Sequence, residues 1–243
     1  MPHLRIVLVE PREAGNVGAA ARVMKNFGFD ELWIVGEHPT LLPVSGWWAS
    51  GADDLLASAR FAPSLRDAIG DAHLTVATTS SRGRTTPAMF TPRSLGERFA
   101  TLGGDQTLAL VFGREDSGLT REELVLCQHA AVIPTNDGFP TMNLAQSICV
   151  FCYELSSIVP VSQERSLATA EILERMHERA RSLLLGVGFL HDNNADRIYD
   201  DLRALAARAD LDEREATIVL GMIRQIEWAL SNARRSDNPR GSR

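Results

Sequence analysis

The chain has 243 residues, 44% of them hydrophobic and 23% charged, with a formal net charge of −6 at neutral pH. That length can bury a full core, and the composition is that of an ordinary globular chain. No apolar run approaches the roughly 18 residues of a membrane span, and three cysteines are too few for a disulfide framework, which excludes a membrane-spanning helix and a disulfide-stapled scaffold. The N-terminus lacks a basic segment, apolar stretch and cleavage site in series, so a cytoplasmic location is expected.

In chain order, short β-branched runs at 4–9, 32–35, 74–77, 108–112 and 130–133 read as buried strands. Helical patterns lie between and after them at 17–26, 64–69 and 121–127, the last opened by a Thr120/Glu123 capping box. The longest apolar helix of this part spans 143 to about 158, with Leu144, Ile148, Phe151 and Leu155 on one face and Pro160 as its stop. The alternation predicts an α/β fold with a mainly parallel sheet over 1–160. Beyond a boundary near 161, three amphipathic helices follow at 167–185, 196–209 and 213–233, with Asp212 and Glu215 placed to cap the third. Residues 234–243 read as a flexible tail.

Cys149 and Cys152 form a C-x-x-C, but they sit inside the apolar helix with no second pair, so they read as core residues. The six histidines are scattered, and no metal site is expected. Residues 1–160 carry 12 Lys and Arg against 17 Asp and Glu, and residues 161–243 carry 13 against 14. Lys25 is the only lysine. Arginine binds phosphate bidentately better than lysine does, yet a nucleic-acid partner would still need a local basic surface.

Three segments carry chemistry. Residues 10–18 leave the first strand for a helix whose opening amides can hold an anion, and Gly18 allows close approach of a backbone. The dinucleotide fingerprint G-x-G-x-x-G is missing, as is a Walker phosphate loop. Asn16 and Arg22 are six residues apart across a turn and a first helical segment, so both can reach one cleft. Phe112-Gly113-Arg114-Glu115-Asp116-Ser117-Gly118-Leu119 packs four polar residues between two glycines at a strand end, and Ile133-Pro134 runs on to Thr141-Met142-Asn143-Leu144-Ala145 at the start of a helix.

In order and spacing these segments resemble the three signature motifs of the SpoU branch of the SPOUT RNA methyltransferases. The C-terminal segments 188–194, 211–215 and 223–227 are similar to the extension of its TrmJ subgroup. The resemblance implies S-adenosylmethionine as cofactor and methyl transfer to the ribose 2′-hydroxyl of tRNA at nucleotide 32, with Arg22 organising that hydroxyl and an adjacent phosphate. Asn16, Glu115, Thr141 and Asn143 would fix geometry or relay the proton. Thr79, Ser80, Ser81, Gly113, Ile133, Met142, Asn143 and Leu144 would border the cofactor, and Gly118 would permit the turn. The family typically has Ser-Leu-Asn where Thr141-Met142-Asn143 stands, which puts a direct bond from the hydroxyl in question. The resemblance further implies a C-terminal trefoil knot over about 107–158 and a homodimer with the 143–158 helix near its interface. Arg82, Arg84 and Arg114, with Arg22, are the expected RNA-binding residues. Ribosomal RNA or another tRNA position remains an alternative substrate, and a non-catalytic RNA-binding or assembly protein, or the bland reading of the C-terminal helices as a stabilising bundle, an alternative function.

Overall fold

A computed structural model describes residues 2–36, 41–80, 89–159, 166–191 and 194–236. Its elements are β1 (His3–Val9), α1 (Ala14–Asn26), β2 (Glu31–Val35), α2 (Leu41–Ala49), α3 (Asp53–Ser58), β3 (Arg60–Ala62), α4 (Leu65–Ile69), β4 (Leu74–Thr79), β5 (Met89–Phe90), α5 (Pro92–Ala100), β6 (Thr107–Phe112), α6 (Arg121–Leu126), β7 (His129–Val132), α7 (Leu144–Ser156), α8 (Ala170–Gly186), α9 (Ala195–Ala207) and α10 (Glu213–Ser236). Among the described residues the strands form one seven-stranded sheet in the order β3-β2-β1-β6-β4-β7-β5, with every pairing parallel.

Strand alternation divides the core into two layers. Ile6, Leu8, Leu108, Leu110 and Phe112 face the layer that contains Val17 and Met24 of α1, Phe99 of α5, and Ile148, Phe151 and Cys152 of α7. Val7, Val9, Ala109 and Val111 face the opposite layer, with Leu65 and Ile69 of α4. The central strands are buried on both faces, which explains why they read as uninterrupted apolar runs. Cys127 and Cys152 are buried and Cys149 is half-buried, all as free thiols.

The five expected strands are present, while the short edge strands β3 and β5 and the helices α2, α3 and α5 are additional. Helix α1 starts at Ala14 rather than at 17, so the turn expected between Asn16 and Arg22 is helix instead. The backbone that comes close to Gly18 is that of α2, since a Cβ on Gly18 would lie 2.1 Å from the Ser45 carbonyl oxygen. Asn143 caps α7 instead of opening it, by accepting from the amides of Ala145 and Gln146 at 2.9 and 3.3 Å.

After residue 166 the described chain is helical apart from an isolated bridge between Leu167 and Asp212, so α8 begins at Ala170 rather than at 167. Its first amides, Ala170 and Glu171, donate to the Ala72 and Gly70 carbonyls at 2.8 Å each. Arg203 of α9 donates to the Val125 carbonyl on α6 at 2.9 Å, and Arg121 pairs with Asp200 at 2.6 Å. Asp212 and Glu215 form the expected reciprocal cap at 2.8 and 3.0 Å. Helix α10 extends to Ser236, past the expected start of the tail at 234, and residues 237–243 lie outside the described residues, as does the expected boundary near 161.

Candidate active site

The carboxyl ends of β4, β6 and β7, with the loops that follow β6 and β7 and the start of α1, enclose a cleft of about 680 Å³. It lies next to the pairing of β1 with β6, where strand order reverses and open α/β sheets gather ligands. All three motifs line it: Asn16 from the first, residues 112–119 from the second, and Ile133 with residues 139–144 from the third.

A chain of hydrogen bonds joins the motifs at one side of the cleft. Asn143 donates from Nδ2 to Asn16 Oδ1 at 2.9 Å, and Asn16 donates from Nδ2 to Glu115 Oε1 at 2.8 Å. Glu115 also accepts from the backbone amides of Arg12 at 2.9 Å and Glu13 at 3.2 Å. Chemistry fixes the direction of the chain. An ionised carboxylate only accepts, so Asn16 must turn its nitrogen to Glu115 and its oxygen to Asn143, whose own oxygen is taken by the α7 amides. Burial works to raise the Glu115 carboxyl, but the bonds from Asn16 and the backbone amides outweigh it and hold the group below its ordinary value of 4.5. Glu115 is therefore a fixed anion and a poor proton acceptor.

The second motif is held closed by backbone contact. Arg114 and Gly118 exchange backbone hydrogen bonds of 3.2 and 2.9 Å, and Gly118 has φ of +70°, a conformation glycine adopts without strain. A Cβ on Gly113 would lie 2.2 Å from the Gly118 carbonyl carbon, so Gly113 is required for the loop to fold back.

Arg114, expected among the RNA-binding residues, is paired within the fold. Its side chain is 11% exposed and pairs with Glu10 at 2.8 Å and, through two nitrogens, with Glu123 at 3.0 Å. These partners raise its pKa above the ordinary arginine value. Arg114 thus ties the β1 end and α6 to the motif, and its charge is already matched. Glu10, strained at φ of +44°, and Glu123 act on the motif through Arg114 and do not line the cleft; Glu123 was legible only as half of a capping box.

Arg22 is exposed and does not line the cleft, nor does it have a polar partner among the described residues. Six residues on a continuous helix set two side chains about 120° apart around its axis. Helix α1 therefore puts Arg22 on a different face from Asn16, and of the two only Asn16 is among the described residues that line the cleft. Thr79, Ser80, Ile133, Met142 and Leu144, expected to border the cofactor, line the cleft, while Ser81, Arg82 and Arg84 lie outside the described residues. Thr141 lines the cleft with its residue exposed. Phe139, which no motif flagged, is at the rim and 82% exposed.

Residues 3–153 match the model of the SpoU rRNA Methylase family. Over 240 residues the chain is 35% identical to a tRNA (cytidine/uridine-2'-O-)-methyltransferase TrmJ of Klebsiella pneumoniae, covering 93% of this chain and 97% of that one. It is 34% identical to the TrmJ of Salmonella typhimurium, again over 93% and 97%. The crystal structure of TrmJ from Z. mobilis superimposes with a TM-score of 0.81 at 29% identity, covering 93% of this chain and 99% of that one. Matched over most of its sheet and along nearly its whole length by such relatives, this chain belongs to the SpoU methylase family.

Proposed function

We propose that this chain transfers a methyl group from S-adenosylmethionine to a ribose 2′-hydroxyl of tRNA, at nucleotide 32 of the anticodon loop, and works as a cytoplasmic homodimer. The observation that carries the reading is the hydrogen-bonded chain Asn143–Asn16–Glu115, which gathers one residue from each motif beside a cleft. The relatives named TrmJ, aligned over more than nine-tenths of both chains, support tRNA as the substrate.

The cleft fits the cofactor. Its volume of about 680 Å³ is in the range of small-molecule sites, its walls include Phe112, Leu119, Ile133 and Leu144, and Glu13, Glu115 and Asp116 line it with negative charge suited to a sulfonium. Thr79, Ser80, Gly113, Ile133, Met142 and Leu144 would hold it, and it supplies an electrophilic methyl when bound.

The chain's own residues position the acceptor. Glu115 locks Asn16, and Asn16 locks Asn143, so the remaining N–H groups of both amides point in fixed directions and can donate to a hydroxyl oxygen as its charge develops. Preorganised donors of this kind need no rearrangement during reaction, and held reactants gain effective concentration. A guanidinium does not deprotonate at neutral pH, so Arg22 orients a phosphate and the hydroxyl instead of taking its proton. A homodimer gives Arg22 a place: exposed on α1 and on a different face from Asn16, it would serve the cleft of a second copy. In this reading residues 1–160 form a knotted methyltransferase domain and 161–233 a helical extension.

The test is transfer of labelled methyl from S-adenosylmethionine to unmodified tRNA by the purified protein, with nuclease mapping of the product. Label on the 2′-oxygen of nucleotide 32 is expected. Label on ribosomal RNA alone would overturn the substrate, and no transfer to either RNA would overturn the activity.

A further inference from the structure

Phe139 is 82% exposed at the rim of the cleft. An aromatic ring in water forfeits most of its burial energy, so its position calls for a partner. The loop that carries it is built to hold it there. The Gly138 amide donates to Asn136 Oδ1 at 2.8 Å and the Phe139 amide to the Asn136 carbonyl at 3.0 Å. Just beyond, Thr135 Oγ1 donates to the Pro140 carbonyl at 3.0 Å and closes the loop on both sides of the ring. The ring is thus presented from a fixed turn, with little ordering entropy left to lose on binding.

The charge at the cleft indicates what kind of partner the ring meets. Among the described residues lining it, Arg114 is the only cation, and Glu10 and Glu123 already pair it. Glu13, Glu115 and Asp116 add negative charge. Phosphate contacts, which dominate most RNA binding, have little to work with among the described residues that line the cleft, whereas a base can stack on an uncharged ring without regard to field. The cofactor is a poorer match for Phe139, because the cleft has buried apolar walls of its own and the ring stands outward from them.

We propose that Phe139 is the stacking platform for the base of the nucleotide whose ribose enters the cleft. The inference rests on the RNA-methylating reading above and deepens it. A phenyl ring has no donor or acceptor, so it reads the base's face and not its edge. It therefore selects an unpaired, turned-out nucleotide over a paired one while tolerating different bases. Sequence choice must come from elsewhere on the protein.

The experiment uses the full-length protein, S-adenosylmethionine and an anticodon stem-loop RNA carrying a fluorescent cytidine analogue at the target nucleotide. Phe139→Ala, Phe139→Tyr and Phe139→Leu are compared with the wild type. Quenching of the analogue is expected with the wild type and with Tyr, and its loss with Ala and Leu, with RNA affinity for Ala weaker by roughly 5- to 100-fold. Cofactor affinity and sedimentation should not change. Leu matching Phe would reduce the contact to simple burial and overturn stacking. Weakened cofactor binding in the Ala variant would assign the ring to the cofactor, and a shifted oligomeric state would assign it to a second copy; either sinks the proposal. If the wild type methylates RNA and the Ala variant does so equally well, stacking alone fails. If the wild type methylates no RNA, the proposed function fails and takes this inference with it.

Discussion

Asn16 donates to Glu115 at 2.8 Å across 99 residues of sequence, and its amide can sit only one way around. Replacing it with aspartate tests that arrangement, because two carboxylates at hydrogen-bond distance cannot both ionise. Asn16→Asp is expected to cut kcat by about 100-fold or more, as for loss of a preorganised donor, and to lower the melting temperature. Adding Glu115→Gln should recover part of the melting temperature. A single variant that melts like the wild type would show that the pair does not form.

Glu115 makes stability depend on pH. Its folded pKa is below the ordinary 4.5, so its contribution is fully present above that value and is lost as the pH falls through and below it. At neutral pH the wild type should be more stable than Glu115→Gln, with the gap closing on acidification. Urea midpoints for both proteins at pH 7 and at the lowest pH where both still fold give the comparison. A gap that widens in acid would reverse the sign.

Arg114 is expected to behave as a tie and not as a phosphate ligand. Arg114→Ala leaves Glu123, 16% exposed, without its bidentate partner and should cost about 3 kcal/mol. Lysine should restore little of this, since it lacks the planar fork. The salt dependence of RNA binding should not change if the variant is assayed where it is folded. A shallower slope with unchanged stability would return Arg114 to the RNA surface.

Two glycine substitutions should have opposite signs. Gly18→Ala drives a methyl toward the Ser45 carbonyl at 2.1 Å and should destabilise by about 1–3 kcal/mol through overpacking of α1 on α2. Gly221→Ala, within α10 and with open space around it, should stabilise by about 0.5–1 kcal/mol. Chemical denaturation of both variants checks the pair.

Arg22→Ala should melt with the wild type, because the side chain is exposed and without a polar partner among the described residues. Methyl transfer should nonetheless fall sharply. A mixture of Arg22→Ala with an Asn16→Ala variant, each inactive alone, should regain activity if Arg22 serves the cleft of a second copy. Failure of the mixture, with mixed dimers shown to form, would place Arg22 in its own chain's site.

The thread of the fold was legible because its cause is local. Strands buried on both faces leave continuous apolar runs, and the caps at Thr120 and Asp212 are spelled by residues three apart. The short strands β3 and β5 were not, since two or three residues carry no period and owe their extended form to the neighbouring strand. The motifs themselves could be found in the sequence because glycines, a proline and polar residues cluster at strand ends. What joins them could not. That Asn16 faces Glu115 and Asn143 depends on which strands lie side by side, and long-range pairing leaves no mark in either segment alone. The same holds for Arg114, whose charge looks free in the sequence and is matched by carboxylates 104 residues before it and 9 after it. The sequence by itself determined the order of elements and the chemistry at the strand ends. Only the tertiary structure decided which charges are spent within the fold and which side chains, Phe139 among them, stand open to a partner, because burial and ion pairing are properties of neighbours in space.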